Sequence, residues 1–200
     1  MKTLSTYALA LSFAALAACS PQTTPETSGP WSLVTKQSDI SYVTIKNGSL
    51  GEVNTFSMFS GKVTESGKAE FIVYLDSVDT DNDIRDPRMR KILFDTETYP
   101  TARASADLNM AQFDELAIGQ TETVLLDLTL ELHGIAEQFD FNALVTRVGP
   151  NKVRVVNKAP LLIDAEDFGF EAGLAKLQQL AKLESITPVV SATVALTFER

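Results

Sequence analysis

VLLDLTLEL, residues 124–132, decides the fold class. Val124, Leu126, Leu128, Leu130 and Leu132 occupy alternate positions, with Asp127, Thr129 and Glu131 between them and only Leu125 out of phase. A period of two gathers the apolar side chains on one face of an extended strand; a helical period would scatter them. The same alternation runs outward in both directions. Phe71, Val73 and Leu75 precede it, Phe139, Phe141, Ala143 and Val145 follow, and Val153, Val155, Val194, Leu196 and Phe198 carry it to the C-terminus. Residues 32–35, 39–46, 52–63 and 101–110 read as further strands. About eight or nine strands, joined by short turns such as Asn47-Gly48 and Gly149-Pro150-Asn151, make an antiparallel all-β domain. Periodicity leaves a filled sandwich and a ligand-enclosing barrel equally open.

Two helical pieces interrupt the strands. Leu174, Leu177, Leu180 and Ala181 share one helix face, so residues 173–184 form a short amphipathic helix that packs over a sheet or a barrel mouth. Lys176 and Lys182 against Glu171 and Glu184 are too few cations for a membrane-surface helix. The other piece follows DTDNDIRDPRMRK, residues 79–91, whose alternating aspartates raise the question of a calcium loop. Asp79, Asp81 and Asp83 suit the first ligand positions, but Ile84 stands where the loop needs glycine and Arg90 where it needs a bidentate glutamate. Arg85 and Arg88 would hold neighbouring acids ionised, which suits a salt-bridged connection better than a general acid. Asp86-Pro87 reads as an N-cap with proline at the first helical position. Met89, Ile92 and Leu93 then share a face until Tyr99-Pro100, and the arginines pair with Asp79, Asp83 or Asp86.

The N-terminus is an export signal. Lys2 precedes an apolar run, residues 8–16, too short to span a bilayer and ending in small residues. Leu16-Ala17-Ala18-Cys19 resembles the lipobox of bacterial lipoproteins, which implies that residues 1–18 are removed and that Cys19, the sole cysteine, becomes the lipidated anchor. A single thiol offers no internal disulfide. Residues 20–30, SPQTTPETSGP, form an uncollapsed tether reaching roughly 35 Å when stretched. Ser20 accords with outer-membrane over inner-membrane sorting by the rule known in enteric bacteria. The expected location is thus the periplasm-facing surface of the cell envelope, with one domain over residues 31–200.

The formal charge of −9 becomes more negative still once Lys2 is removed, which argues against nucleic acid and against a polybasic membrane patch. His133, the single histidine, ends an apolar strand before Gly134 with no second histidine or cysteine to complete a transition-metal site. No nucleophile motif, metal cluster or cofactor fingerprint is present, so the sequence gives no positive sign of an enzyme, and a catalytic role for His133 ranks below a structural one.

Taken in order, the fragments resemble the YceI-like polyisoprenoid-binding family. They are Trp31, Ser57-Met58-Phe59-Ser60-Gly61, Ser77-Val78-Asp79-Thr80-Asp81-Asn82, Arg85-Asp86, Leu93-Phe94-Asp95, Tyr99-Pro100, Leu130-Glu131-Leu132-His133-Gly134 and Asp167-Phe168-Gly169. The resemblance implies an eight-stranded antiparallel lipocalin-like β-barrel with two short helices. It also implies a long apolar tunnel that binds a polyisoprenoid, an isoprenoid quinone or another extended lipid, with no cofactor and no metal. The tunnel-lining candidates are then Phe56, Phe59, Phe71, Val73, Leu75, Phe94, Ala102, Ala104, Leu126, Leu128, Leu130, Phe141, Val155, Phe168 and Leu196, with Arg85, Asp86 and His133 as structural motif residues. The chain departs from the family at Arg88, where a histidine is usual, and at Ala102 and Ala104, where larger apolar residues are common. Small inward residues there would widen the tunnel. A non-catalytic lipoprotein with a filled barrel, acting through protein partners, is the competing expectation; the two differ in cavity volume.

Overall fold

The computed structural model describes residues 29–113 and 115–200. The expected signal peptide, the anchor Cys19 and the tether as far as residue 28 lie outside the described residues.

The wall has eight segments, several of them broken. The first is β1 (Trp31–Leu33) and β2 (Asp39–Lys46), separated by a 3-10 turn at Thr35–Gln37. The second is β3 (Leu50–Phe56) and β4 (Phe59–Val63), and the third β5 (Lys68–Tyr74) and the short β6 (Val78–Asp79). β7 (Thr101–Asp107), β8 (Thr121–Leu132) and β9 (Ile135–Gly149) are continuous. β10 (Lys152–Asn157) with β11 (Leu161–Asp164), and finally β12 (Val189–Glu199), complete the set. Each segment pairs antiparallel with its neighbour in sequence. β12 takes β10 and β11 on one edge and β1 and β2 on the other, and this last pairing closes an up-and-down barrel.

The stretch 124–132 lies in β8 with Leu126 opposite Phe141 and Leu128 opposite Phe139, so two apolar alternations face the same interior. The breaks were not visible in the sequence. The expected strand 52–63 stops at Ser57 and Met58, where the Met58 amide turns to the Ser77 hydroxyl (3.0 Å) and that hydroxyl donates to the Tyr74 carbonyl (2.6 Å). The kink lets β3 pair with β2 and β6 while β4 pairs with β1 and β5. The strand expected over 101–110 ends at Asp107, beyond which Met110–Phe113 form a 3-10 turn.

A cap covers the end of the barrel that carries the β8–β9 turn. Helix α1 (Arg85–Arg88) widens into a π-helical segment, Met89–Phe94, and α2 (Glu171–Ala181) lies across it. Gly173 permits that crossing: a Cβ there would stand 2.8 Å from the Ile92 carbonyl oxygen. α2 starts earlier than the apolar pattern alone implies, and it also ends earlier, because Lys182 adopts a left-handed conformation and Leu183 donates back to the Gln178 carbonyl. The Asn47-Gly48 turn joins β2 to β3 with both residues at positive φ, as a tight hairpin requires, and Asn47 Oδ1 accepts the Glu184 amide at 2.8 Å. The hairpin thereby holds the outgoing end of α2. Leu75, Val78, Met89, Leu93, Phe94, Leu130, Phe168, Phe170 and Leu177 form the core beneath the cap. Trp31, Val63, Leu196 and Phe198 pack the opposite end, with Val124, Ala143 and Val145 beside them.

The N-cap reading of Asp86 is corrected by this geometry. Asn82 Oδ1 accepts the Ile84 and Arg85 amides at 3.0 Å each and starts the helix, while Asp86 lies inside its first turn, buried, accepting the amide and the hydroxyl of Thr80. Nor do the arginines pair with nearby aspartates. Arg85 reaches across to Glu52 on β3 and to the Thr80 carbonyl.

Candidate functional site

Inward side chains leave a cavity rather than filling the barrel. An upper chamber of about 490 Å³ lies under the cap, and a lower chamber of about 150 Å³ lies toward Trp31. Phe71, Ala104, Leu128, Phe141 and Leu196, from five different strands, line both and mark their junction. Phe56, Val73, Leu75, Phe94, Ala102 and Leu130 line the upper chamber only, and Leu126 and Val155 the lower. The roof is built by Met89, Leu93, Phe170, Leu174 and Leu177, which periodicity placed on helices without placing them over a cavity. Asn82, Ile84 and Ala181 belong to the upper lining and are exposed, so the cavity reaches the surface beside the cap.

Two expected lining residues stand outside the cavity. Phe59 faces inward opposite Val73, but its ring packs against Phe71 at 5.7 Å between centroids and Phe71 takes the lining position. Phe168 is fully buried in the 3-10 turn Glu166–Phe168, stacked on Phe139 beneath the cap. Alternation gives the face of a strand residue and not the depth at which its ring comes to rest.

His133 has a structural place. It takes a left-handed conformation (φ +53°) in the β8–β9 turn, its ring lies between Tyr99 and Phe170 at 4.4 and 4.8 Å, and Nδ1–H donates to the Phe168 carbonyl at 3.0 Å. Gly134 follows at positive φ, and a Cβ there would meet the Tyr99 ring at 2.9 Å. The turn, the Tyr99 loop and the cap thus share one aromatic stack. Among the described residues, no three His, Cys, Asp or Glu side chains come together as they would around a metal ion.

The rim of the upper chamber is charged. Lys46 and Arg85 both bind the Glu52 carboxylate. Burial would raise the Glu52 carboxyl, but the hydrogen bonds and charges of Lys46 and Arg85 outweigh it and hold the group below the usual carboxylate range. A depressed native value means that this contribution to stability is complete above the unfolded value of 4.5 and lost as pH falls through the native one. Glu70, held by Lys62 and Arg103 on the outer wall, titrates in the same direction. Melting temperatures measured from pH 7 to pH 3 are therefore expected to fall for the wild type. The gap between wild type and Glu52→Gln, which isolates the rim cluster, should close at the acid end; a gap constant with pH would show that Glu52 does not link β3 to the cap.

Deeper on the β2–β3 wall the lining is polar and uncharged. Tyr42 and Asn54 are cross-strand partners, and Asn54 Nδ2 donates to Thr44 Oγ1 at 3.1 Å. None of the three was singled out in the sequence, because apolar residues occur on both faces of β2. The available signal was a tyrosine and an asparagine at the inward positions of adjacent strands.

The sequence matches the YceI-like domain over residues 31–200. A search of curated protein sequences finds no match. Among solved structures, a polyisoprenoid-binding domain from Saccharophagus degradans implicated in plant cell wall breakdown is 34% identical, with a TM-score of 0.83 over 84% of this chain and 97% of that one. Burkholderia cenocepacia BcnA shares the fold at 19% identity and a TM-score of 0.64, over 82% of this chain and 98% of that one. The Campylobacter jejuni YceI protein does so at 16% and 0.52, over 74% and 84%. A closed eight-segment barrel with an apolar interior, a helical cap and a match spanning the whole domain place the chain in one family: it belongs to the YceI-like proteins.

Proposed function

We propose that the protein is a lipid-anchored binding protein, facing the periplasm, that carries or stores a polyisoprenoid, an isoprenoid quinone or a similarly extended lipid. The observation that carries this reading is the pair of adjoining apolar chambers within the barrel, which share five lining residues. Apolar cavities of about 150 Å³ stay dry and take up hydrocarbon, because water finds no partners on their walls. Each methylene moved from water onto such walls contributes about 0.8 kcal/mol, so a five-carbon unit contributes at most roughly 4 kcal/mol before the cost of ordering the chain. Affinity then rises with the length of chain the bore accepts. The likeness to the polyisoprenoid-binding domain of Saccharophagus degradans supports the ligand class. The lipobox-like Leu16-Ala17-Ala18-Cys19 supports the anchor, and Ser20 an outer-membrane site. A barrel working only as a partner-binding surface would have no use for the cavity.

The test is native mass spectrometry with lipid extraction on residues 20–200, exported to a bacterial periplasm without the anchoring cysteine and purified without detergent. One stoichiometric adduct, released as a polyisoprenoid or quinone, is the expected result. An adduct-free domain that also takes up no added isoprenoid would turn the reading toward a partner-binding lipoprotein.

A further inference from the structure

We infer that the Tyr42, Asn54 and Thr44 patch is the head-group site of the upper chamber, and that it selects a long-chain lipid bearing an uncharged hydrogen-bond acceptor such as a quinone or ester carbonyl. The inference rests on the binding-protein reading above and adds the chemistry of the head.

Tyr42 is a buried residue of the cavity lining, yet its hydroxyl has no hydrogen-bond partner among the described residues. A buried hydroxyl left unpaired costs about 1–3 kcal/mol, which a bound acceptor would recover. The ring is stacked on Phe56 at 5.5 Å, so the phenol sits at a fixed place on the wall. The oxygen itself is buried, so a head group reaches it only where a neighbouring side chain yields. Burial raises the phenol well above its ordinary value, with Arg85 pulling it down and Asp86 pushing it up, so the group remains a neutral donor.

The surroundings favour an uncharged head. Beside the patch, Lys46 and Arg85 are matched by Glu52 and Asp86: Glu52 binds both cations, and Asp86 is felt at Tyr42 together with Arg85. An anion brought to the patch would leave water without a free cation to receive it. Arg88 is the one other cation in the lining; it has no ion-pair partner among the described residues, but it sits on the cap rather than on the β2–β3 wall.

Three probes separate the possibilities: menaquinone-4, geranylgeranyl phosphate with the same chain and an anionic head, and phytane, a branched hydrocarbon with no head. Affinities are measured for wild-type and Tyr42→Phe protein, residues 20–200. The expected result is that Tyr42→Phe weakens menaquinone-4 about tenfold, a loss of about 1.4 kcal/mol, and leaves phytane unchanged. The infrared carbonyl band of bound menaquinone-4, shifted down in the wild type, should return toward its free position in the variant. Tyr42→Phe removes only an unpaired hydroxyl, so it should melt no lower than the wild type, which separates a binding defect from a folding one. Equal menaquinone-4 affinity in both proteins with an unshifted carbonyl overturns the head-group site. Preference for geranylgeranyl phosphate, lost in Arg88→Gln and kept in Tyr42→Phe, overturns it in favour of an anionic head at the cap. If folded wild-type protein binds none of the three, the carrier reading itself fails.

Discussion

Leu128→Asp should abolish lipid loading in a barrel that still folds. Leu128 lines both chambers on the inner face of β8, so a ligand long enough to pass from one chamber to the other must lie against it. In the empty bore an aspartate can keep water; beneath a hydrocarbon chain it cannot, and stripping the carboxylate costs several kcal/mol. At 1.4 kcal/mol per factor of ten, that is a loss of affinity of at least about a hundredfold. Leu128→Met, similar in volume and apolar, should load normally. Native mass spectrometry of the two variants, with circular dichroism to confirm the folded barrel, gives the comparison. A folded Leu128→Asp protein that still emerged with lipid would move the binding place out of the bore.

The reverse pattern is expected at Phe168. Its side chain is completely buried, stacked on Phe139, and its carbonyl receives His133, yet it stands outside both chambers. Phe168→Ala should cost about 3–5 kcal/mol. For a domain of this size that lowers the melting temperature by about 10 °C. Lipid affinity, measured well below the transition, should stay within about twofold of wild type. If instead Phe168→Ala altered affinity while leaving stability untouched, the ring would belong to the ligand site after all.

Residue by residue, what the sequence disclosed depended on whether the deciding contact was local. The alternation in β5, β8, β9 and β12 was legible because each strand meets the interior on one side and water on the other, a condition any short window records. The closure of the barrel was not, since it depends on Ser32 and Leu33 meeting Glu199 and Phe198 at the far end of the chain. Residues 79–91 were legible as a turn into a helix, but Asn82 and Asp86 are both good capping residues, and only the position of Thr80 commits Asp86 to the interior. Phe59 and Phe168 illustrate the limit on rings: a second aromatic decides where each comes to rest, Phe71 taking the lining place beside Phe59, and Phe139 stacking on Phe168 away from both chambers. The polar patch arises from cross-strand register, in which Tyr42 falls opposite Asn54.

Of the five side chains at the junction of the chambers, Phe71, Leu128, Phe141 and Leu196 are bulky and Ala104 alone is small. The position on β7 is therefore the one at which a passing chain would find most room. A chain shorter than the upper chamber never meets the ring, whereas a longer one must thread it past Ala104. If the barrel carries lipid as proposed, enlarging that residue should leave short ligands untouched and turn long ones away, so that a single methyl group would set the length of cargo.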